Sequence, residues 1–404
     1  MQYPGVPFGP NDFHGHESCQ TKDLEIHNYS DRNEARNCRL SGLRDLKQQS
    51  EYVRKKQVDF LNHLIDIGVA GFRSDASTHQ WPDDLRSIYS QLHTLNKEFF
   101  PENSHPFIYH ETIYYGGNGI NSNEYTSLGR IIEFRFYKEI TNVFRGNNQL
   151  RWLKNFGTEW GLVPSNDALV MIDSHDLRVG HTGKLGFNIN CFEARLLKAS
   201  TAFMLAWNYG IPRVMSSYFW NQIIRVNRKN QIYFSKIRHQ LITFIFYYLT
   251  KKDGKAVNDW VGPPTDQHGN ILSVHPNADL TCNHEWICEH RWRQIYNMVR
   301  FKMIAGQEPV RNWWDNGDYQ IAFSRGSHAF IAINLQKNGD KNLRQRLHTG
   351  LPAGTYCDII SGDLIHNKCT GKSIEVDKNG LADIYVGHDE LDAFVAYHIG
   401  ARIE

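Results

Sequence analysis

The sequence has no excess of charge of one sign. Its 45 Lys and Arg residues balance 43 Asp and Glu residues, which gives a formal net charge of +2. Binding of a nucleic acid through its phosphates needs a basic patch or stripe, so we expect no nucleic acid partner. The apolar run LITFIFYYL in residues 221–252 is also far shorter than the roughly 20 residues that cross a bilayer. We therefore expect no membrane-spanning segment.

The first residues, MQYPGVPFGPNDFHGHESC, lack the basic start and apolar run of a secretory signal peptide. Six of the seven cysteines nevertheless form three locally spaced pairs, and Cys191 is left over. No pair has the tight spacing, joined to a second such pair, of a zinc site. Disulfides are therefore the favoured interpretation, and disulfides form in oxidising compartments. The predicted pairs are Cys19–Cys38, Cys282–Cys288 and Cys357–Cys369.

Strand and helix patterns alternate in the middle of the chain. With 404 residues, of which 41% are hydrophobic, the chain can bury a large core in a main domain plus one or two smaller ones. Helical periodicity marks YVRKKQVDFLNHLIDIG, WPDDLRSIYSQLHTLNKEFF and CFEARLLKASTAFMLAWNYG, whereas GVAGFRSDAS, PFIYHETIYYGG, DALVMIDSHD and IPRVMSSYFW have the pattern of short strands. This alternation predicts βα units around a parallel sheet. From about Trp314, short β-rich runs between Gly and Asn turns predict a separate antiparallel β domain.

Three carboxylates stand at the ends of three predicted strands: Asp75, Glu111 and Asp176. In a (β/α) barrel the carboxyl ends of the strands meet on one face, where catalytic groups gather. A single acid after a strand can simply cap the next helix, but three in succession favour an active site. Three basic side chains lie beside them: Arg73, His79 and His175.

A pair of carboxylates facing the substrate is what glycoside hydrolysis requires. The segments GVAGFRSDASTHQWPDDL, FIYHETI, VMIDSHD and GIPRVMSSYFW resemble the signature segments of the α-amylase family of glycoside hydrolases, in particular its animal-type members. The resemblance extends to NCRLSGLRDL, VNDWVGPP, CEHRWRQIYNMVRF and LPAGTYCDIISGD and covers nearly all of the chain. It implies a (β/α)8 TIM barrel with a C-terminal antiparallel β-sandwich, and endo-hydrolysis of α-1,4-glucosidic bonds in starch and glycogen.

The resemblance also implies a retaining mechanism with a role for each acid. Asp75 is the expected nucleophile, with Arg73 holding it ionised and oriented. Glu111 is the expected acid/base, with a pKa raised by its neighbours. Asp176 is the expected third carboxylate, which bonds sugar hydroxyls. Besides Arg73, the expected contacts to the sugar are Tyr29, Leu40, Leu43, His79, His175 and His181.

Calcium follows from the same resemblance. The expected ligands are the Asp45 carboxylate and the backbone carbonyls of Arg36 and His79, and oxygen ligands from several segments suit Ca²⁺. Without the resemblance, Asp45 would be interpreted as a solvated loop acid.

Chloride is the second implied ion, held by Arg73, Arg213 and Ser174. The family has an amide side chain where this sequence has Ser174. Because Ser is shorter and has one donor, we expect weakened or water-mediated chloride binding.

The resemblance also implies where the domains begin and end, and which parts of the family fold are missing from this chain. Residues 1–47 are the expected remnant of the calcium-binding excursion, residues 48–313 the barrel part and residues 314–404 the β domain. The first barrel strands of the family precede anything found here, so we expect an incomplete barrel with open sheet edges, and Met1 as an internal methionine or a mis-assigned start. An atypical insert at 222–249 is interpreted as translated intron sequence, with a surface loop as the alternative.

The expected partners are starch, glycogen and malto-oligosaccharides, and the expected protein is a secreted monomer. Two alternatives stay open. A noncatalytic glucan-binding protein would be signalled by loss of a catalytic carboxylate, and only the missing strands favour it. An α-glucosidase or glucanotransferase would use the same acids, but VNDWVGPP and CEHRWRQI count against it.

Overall fold

The computed structural model describes residues 5–117, 119–178, 188–219 and 262–403. Two units make up the chain: Met1–Met215 with Arg293–Glu404, and Ser216–Trp292. His181 and the insert predicted at 222–249 lie outside the described residues. In the smaller unit, the buried Glu289 carboxylate accepts hydrogen bonds from the main chain and the hydroxyl of Ser217, at 2.9 and 2.5 Å.

Five short strands of the larger unit form one parallel sheet in the order β1-β2-β3-β4-β5. The register places Ser74 opposite His110, so the residues that follow β1 and β2 leave the sheet side by side. Within the described residues the sheet is open, with β1 and β5 at its edges. The strands are β1 (Gly71–Ser74), β2 (Phe107–His110), β3 (Arg130–Ile132), β4 (Ala168–Met171) and β5 (Ile211–Arg213).

Helices precede, separate and follow these strands, as the βα alternation predicts. The predicted end of the second helix at Gly68 agrees with the structure, because the helix ends at Asp66 and Gly68 has a φ of 106°. Such a backbone conformation is readily adopted only by glycine. The helices of the larger unit are α1 (Arg32–Asn37), α2 (Glu51–Asp66), α3 (Pro82–Tyr89), α4 (Phe134–Phe144), α5 (His175–Arg178), α6 (Ala194–Ala206) and α7 (Arg293–Ala305).

Two details of the predicted pattern are wrong. Strand β3 and helix α4 were not predicted. Strand β3 has only three residues, and strand periodicity needs about four or more to be visible. The helix predicted over WPDDLRSIYSQLHTLNKEFF starts at Pro82 but ends at Tyr89. It ends because Asn62 on α2 bonds the next turn, donating to Gln91 O at 3.1 Å and accepting from His93 N at 2.7 Å.

The C-terminal part is built from antiparallel strands, as predicted. A four-stranded sheet (β15-β8-β7-β6), a three-stranded sheet (β13-β10-β16) and the β14–β9 pair share one apolar core that includes Phe330, Tyr356 and Ile384, and β11 and β12 form a further pair. Strand β6 begins at Val310 and crosses the boundary predicted after residue 313; the three domain boundaries remain predictions. The strands are β6 (Val310–Asp315), β7 (Gln320–Arg325), β8 (Ala329–Asn334), β9 (Leu343–His348), β10 (Gly354–Cys357), β11 (Leu364–Ile365), β12 (Lys368–Cys369), β13 (Ser373–Val376), β14 (Leu381–Val386), β15 (Phe394–His398) and β16 (Arg402–Ile403).

All three predicted disulfides are present, and Cys191 takes part in none of them. Cys19–Cys38 packs with Ile26 into a small core of the N-terminal segment, and Leu24 and Leu40 pack against this core. None of the helices in the described part of the chain is both long and apolar enough to cross a lipid bilayer.

Candidate active site

The loop that follows β1 encloses Glu111, the residue that follows β2. Glu111 N donates to Ser74 O, and Ser77 N donates to Glu111 O, both at 2.9 Å. Ala76 has a φ of 47°, and its N–H donates to Glu111 Oε2 at 2.9 Å. Because the strands are parallel neighbours, this loop also places the carboxylates of Asp75 and Glu111 together.

Arg73 contacts both of these carboxylates. Its Nη1 pairs with Asp75 Oδ1, and its Nη2 lies 2.9 Å from Glu111 Oε1. The two acids differ strongly in exposure, with side chains 73% exposed for Asp75 and 9% for Glu111. One cation therefore holds an accessible carboxylate and a buried one in the same site.

The electrostatics of this group favour a proton on Glu111. Burial is the main cause that raises the pKa of Glu111, and a hydrogen bond and the charge of Asp75 raise it further. The Ala76 N–H and the Arg73 cation lower the pKa of Glu111 but do not outweigh burial. Burial lowers the pKa of Arg73, but the negative charges of Glu111, Asp75 and Asp176 outweigh this and raise it. Arg73 is therefore a permanent cation.

Asp176 belongs to the same electrostatic group although it lies on α5. Its charge acts on Arg73 and on Tyr115, so Asp176 is within electrostatic range of the guanidinium that contacts the first two acids. The Asp176 carboxylate is 30% exposed, and His175 Nε2 lies 3.3 Å from its Oδ2. The structure thus places Asp75 and Glu111 in contact with one guanidinium and Asp176 within electrostatic range of it; the roles assigned to the three acids remain predictions.

The other expected sugar contacts have varied surroundings. The Tyr29 ring packs edge-on against His79 with 5.9 Å between centroids, and Tyr29 is 52% exposed. Leu43 is 67% exposed, whereas Leu40 packs partly into the Cys19–Cys38 core. Tyr29 and Leu43 thus offer accessible apolar surface, and the assignment of Leu40 as a sugar contact has the least support.

The residues expected to bind calcium lie close together. His79 Nδ1 is hydrogen-bonded to Ala35 O at 2.9 Å, which joins the turn after β1 to α1 next to Arg36. Asp45 Oδ2 lies 2.6 Å from His14 Nδ1, and Asp45 and His79 interact electrostatically. No donor among the described residues bonds the carbonyl oxygen of Arg36 or of His79.

Two unpaired carbonyls near a carboxylate fit an oxygen-loving cation. Among the described residues there is no cluster of three or more His, Cys, Asp or Glu side chains that could hold a metal. A calcium site at this place would therefore depend on main-chain oxygens.

The residues expected to bind chloride lie on or just after three strands of the parallel sheet: Arg73 on β1, Arg213 on β5 and Ser174 after β4. Arg73 Nε and Ser174 Oγ are both buried and have no hydrogen-bond partner among the described residues. Arg213 on β5 contacts Met171 Sδ at 3.3 Å, and these two residues are register partners. A buried, unpaired N–H of a cation and a buried, unpaired hydroxyl are donor groups of the kind that a small anion binds.

Sequence reasoning missed the side chains that support Glu111 from behind. His110 is fully buried, and its Nδ1 lies 3.0 Å from Ser77 Oγ, which donates to Ser74 O at 2.9 Å. Burial lowers the pKa of His110 to about 4, so the imidazole is neutral near pH 7. The alternation of side chains along β2 could have found this residue, since His110 and Glu111 must point to opposite sides.

Comparisons with known proteins agree with this geometry. The family model described as "Alpha amylase, C-terminal all-beta domain" matches residues 311–400. The α-amylase of Dermatophagoides pteronyssinus is 83% identical over 403 residues, covering 100% of this chain and 76% of that protein. Human α-amylase 1B is 45% identical over 404 residues, covering 99% of this chain and 73% of that protein.

Solved structures give the same result. The crystal structure of α-amylase I from Eisenia fetida superposes with a TM-score of 0.84 at 45% identity, covering 99% of this chain and 75% of that one. A mutant of that enzyme in complex with maltohexaose gives a TM-score of 0.85 at 44% identity, covering 99% and 75%. These matches confirm the predicted fold class, an incomplete TIM barrel followed by a C-terminal all-β domain. The chain belongs to the α-amylase family of glycoside hydrolases.

Proposed function

We propose that the protein hydrolyses α-1,4-glucosidic bonds within starch, glycogen and malto-oligosaccharides, with retention at the anomeric carbon. The observation that carries this proposal is the shared contact of Arg73 with Asp75 and Glu111, two carboxyls of very different burial. A retaining glycosidase needs one carboxylate that attacks and one carboxylic acid that donates a proton. The exposed Asp75 suits attack, and the buried Glu111 with its raised pKa suits proton donation.

The first step forms a covalent bond between enzyme and sugar. An Asp75 carboxylate oxygen attacks the anomeric carbon while Glu111 gives its proton to the glycosidic oxygen, so the sugar–oxygen bond breaks and the leaving chain departs as an alcohol. Arg73 orients Asp75 during the attack. Asp176, a partly exposed carboxylate whose charge acts on Arg73, is suited to bond the hydroxyls of the sugar unit whose ring distorts.

The second step releases the sugar. Glu111, now deprotonated, takes a proton from a water molecule that attacks the anomeric carbon from the side the leaving chain vacated. The bond to Asp75 breaks, and both carboxyls return to their starting states. Two inversions at one carbon give net retention.

Retention is tested by following the anomeric proton of the new reducing end by NMR immediately after mixing enzyme with maltoheptaose. We expect the α anomer to appear first and the β anomer to grow only at the rate of mutarotation. Initial formation of the β anomer would show single displacement and exclude Asp75 as nucleophile.

Calcium is proposed as a structural ion held by Asp45 and the carbonyls of Arg36 and His79. The support is the pair of unbonded carbonyls near a partly buried carboxylate. Bound there, the ion would link residues 1–47 to the turn after β1 without taking part in bond cleavage.

Chloride is proposed to bind between Arg73, Arg213 and Ser174. The unpaired Arg73 Nε and Ser174 Oγ support this assignment. Beside Arg73, the anion would add negative charge near the Glu111 carboxyl, which favours the protonated acid.

Secretion and a monomeric state are also proposed. The three disulfides support an oxidising environment such as the extracellular space. A noncatalytic role has no support in the site, since Asp75 and Glu111 both contact Arg73 and the third carboxylate, Asp176, is also kept.

A further inference from the structure

The triplet Asn28, Tyr29 and Ser30 has the pattern of an N-glycosylation sequon, which is Asn-X-Ser or Asn-X-Thr with X other than Pro. It is the only such triplet in the 404 residues of the sequence. The proposed catalysis gives a role to Tyr29 but none to Asn28 or Ser30. Because so short a pattern also occurs by chance, its surroundings in the fold decide what it means.

The sequon lies on the surface, in a turn just before α1. Asn28, Tyr29 and Ser30 are all exposed. The chain reverses here, because Asp31 N donates to Asn28 O at 3.1 Å and the helix begins at the next residue. An attached oligosaccharide is bulky and hydrophilic, so a folded protein accommodates it at a surface position of this kind. The fold therefore leaves room for a sugar on Asn28.

The hydrogen bonds of Asn28 leave its amide nitrogen available. The Oδ1 atom accepts from Ser30 N at 3.0 Å, and the main-chain N–H donates to Glu34 Oε1 at 2.6 Å. Neither Asn28 Nδ2 nor Ser30 Oγ has a hydrogen-bond partner in the described part of the chain. A sugar linked to Nδ2 keeps the carbonyl oxygen of the amide, so it would break none of the bonds that shape this turn.

A disulfide encloses the sequon. Cys19 and Cys38 are joined, and Asn28 lies inside the loop that this bond closes. Disulfides form in the lumen of the endoplasmic reticulum, which is also where oligosaccharides are transferred to Asn in secreted proteins. A chain that acquires this disulfide on the secretory route therefore presents the sequon to the transferring enzyme in the same compartment.

From these observations we infer that Asn28 is a modification site that carries an N-linked oligosaccharide. The donor is an oligosaccharide joined to a lipid diphosphate. Its bond between the anomeric carbon and the phosphate oxygen breaks, this carbon bonds to Asn28 Nδ2, and Nδ2 loses one proton as the lipid diphosphate leaves. The inference depends on the proposed secretion and adds a modification next to Tyr29, an expected contact to the substrate.

The test uses the full chain, secreted from cultured insect cells behind a leader peptide. Peptide N-glycosidase in heavy-oxygen water converts a glycosylated Asn to a labelled Asp, which mass spectrometry of the sequon peptide detects. We expect the label at Asn28 in the wild type and its complete loss in Asn28→Gln and Ser30→Ala. Ser30→Thr keeps the hydroxyl and should keep the sugar. Asn33→Gln, at an exposed Asn of α1 outside any sequon, is the matched control and should behave like the wild type.

Two results would overturn the inference while secretion stands. One is an unlabelled Asn28 in secreted protein whose Cys19–Cys38 disulfide has formed. The other is a glycosidase-sensitive mass that persists in both Asn28→Gln and Ser30→Ala, which would place the sugar on another residue. A chain that never reaches the medium and lacks its disulfides would refute the proposed secretion and this inference with it. The state of the disulfide therefore distinguishes the two failures.

Discussion

Arg73 Nη2 lies 2.9 Å from Glu111 Oε1, and the same guanidinium also contacts Asp75. This shared contact is the basis for assigning different catalytic roles to the two neighbouring acids. The exposed Asp75 is oriented by a cation, while burial and the neighbouring Asp75 charge favour a proton on Glu111. The predictions on catalysis follow from this asymmetry.

Asp75→Asn should abolish hydrolysis, because a neutral amide does not attack the anomeric carbon. A loss of about 10⁴-fold or more in kcat is expected for a residue that forms the covalent intermediate. The measurement is release of reducing ends from soluble starch, with circular dichroism to show that the fold is retained. Asp83→Asn, at a side chain 91% exposed, is the control and should be fully active. Activity within tenfold of wild type in Asp75→Asn would refute the assignment.

Glu111→Gln should lose activity and gain stability at neutral pH. The pKa of Glu111 is raised in the folded state, so the stability linked to its protonated form is present below about pH 4 and is lost as pH rises through the folded pKa. Gln cannot ionise, so the Tm difference between variant and wild type should be near zero at low pH and positive at pH 8. Calorimetry across this range measures it, with exposed Glu98→Gln as the control. A lower Tm for Glu111→Gln at pH 8 would contradict the role of burial.

Asp45→Asn should remove the effect of calcium on stability. An ion that binds only the folded state raises Tm. Removal of Ca²⁺ with EGTA should therefore lower the Tm of the wild type by several degrees, and addition of excess Ca²⁺ should restore it. The Asp45→Asn protein should have a low Tm with or without EGTA. Asp23→Asn changes an exposed acid in the same N-terminal segment, paired with His27, and should respond like the wild type. Equal responses of all three proteins would rule out the Asp45 site.

Ser174→Asn should tighten chloride binding. The Ser174 hydroxyl is buried without a partner among the described residues, and an amide offers a longer reach and a second donor. One added hydrogen bond to an anion predicts a chloride concentration for half-maximal activity at least about tenfold lower. The titration uses NaCl at constant ionic strength, with exposed Ser127→Asn as the control. An unchanged midpoint would contradict a chloride ion at Ser174.

The strands and disulfides that have a clear local pattern of residues could be predicted from the sequence. Strands β1, β2 and β4 are short apolar runs with charged residues at their ends, and the three disulfides join cysteines close in sequence. Strand β3 has two apolar residues and became visible only through its pairing with β2 and β4. The early end of α3 depends on Asn62, a residue on a different helix.

Some features of the candidate site could likewise be predicted from the sequence, and others could not. The three acids could be found from the sequence because they follow strands, and parallel neighbours bring such positions together. The hydrogen bond between Ser77 and His110 behind Glu111 joins residues 33 positions apart and depends on the pairing of β1 with β2, so no local spacing shows it.

The last prediction concerns Arg325, which joins the barrel part to the β domain. Its fully buried guanidinium donates to Ala206 O at 2.7 Å, Glu308 O at 2.7 Å and Gly306 O at 2.9 Å, at the C-terminal ends of α6 and α7. Burial lowers the pKa of Arg325 to about 10, so it remains a cation at neutral pH and complements the helix dipoles. Arg325→Met leaves three carbonyls without a donor and should lower the free energy of unfolding by about 3–5 kcal/mol.

Urea unfolding followed by tryptophan fluorescence measures this loss. Arg344→Met is the matched control, because Arg344 is exposed on β9 and its guanidinium lies over Tyr385. That variant should stay within about 0.5 kcal/mol of the wild type. A loss below about 1 kcal/mol for Arg325→Met would mean that water reaches the three carbonyls and replaces the guanidinium. The two parts of the chain would then be joined by their apolar contacts and by other hydrogen bonds, such as that from the Tyr319 hydroxyl to Gly146 O at 2.9 Å.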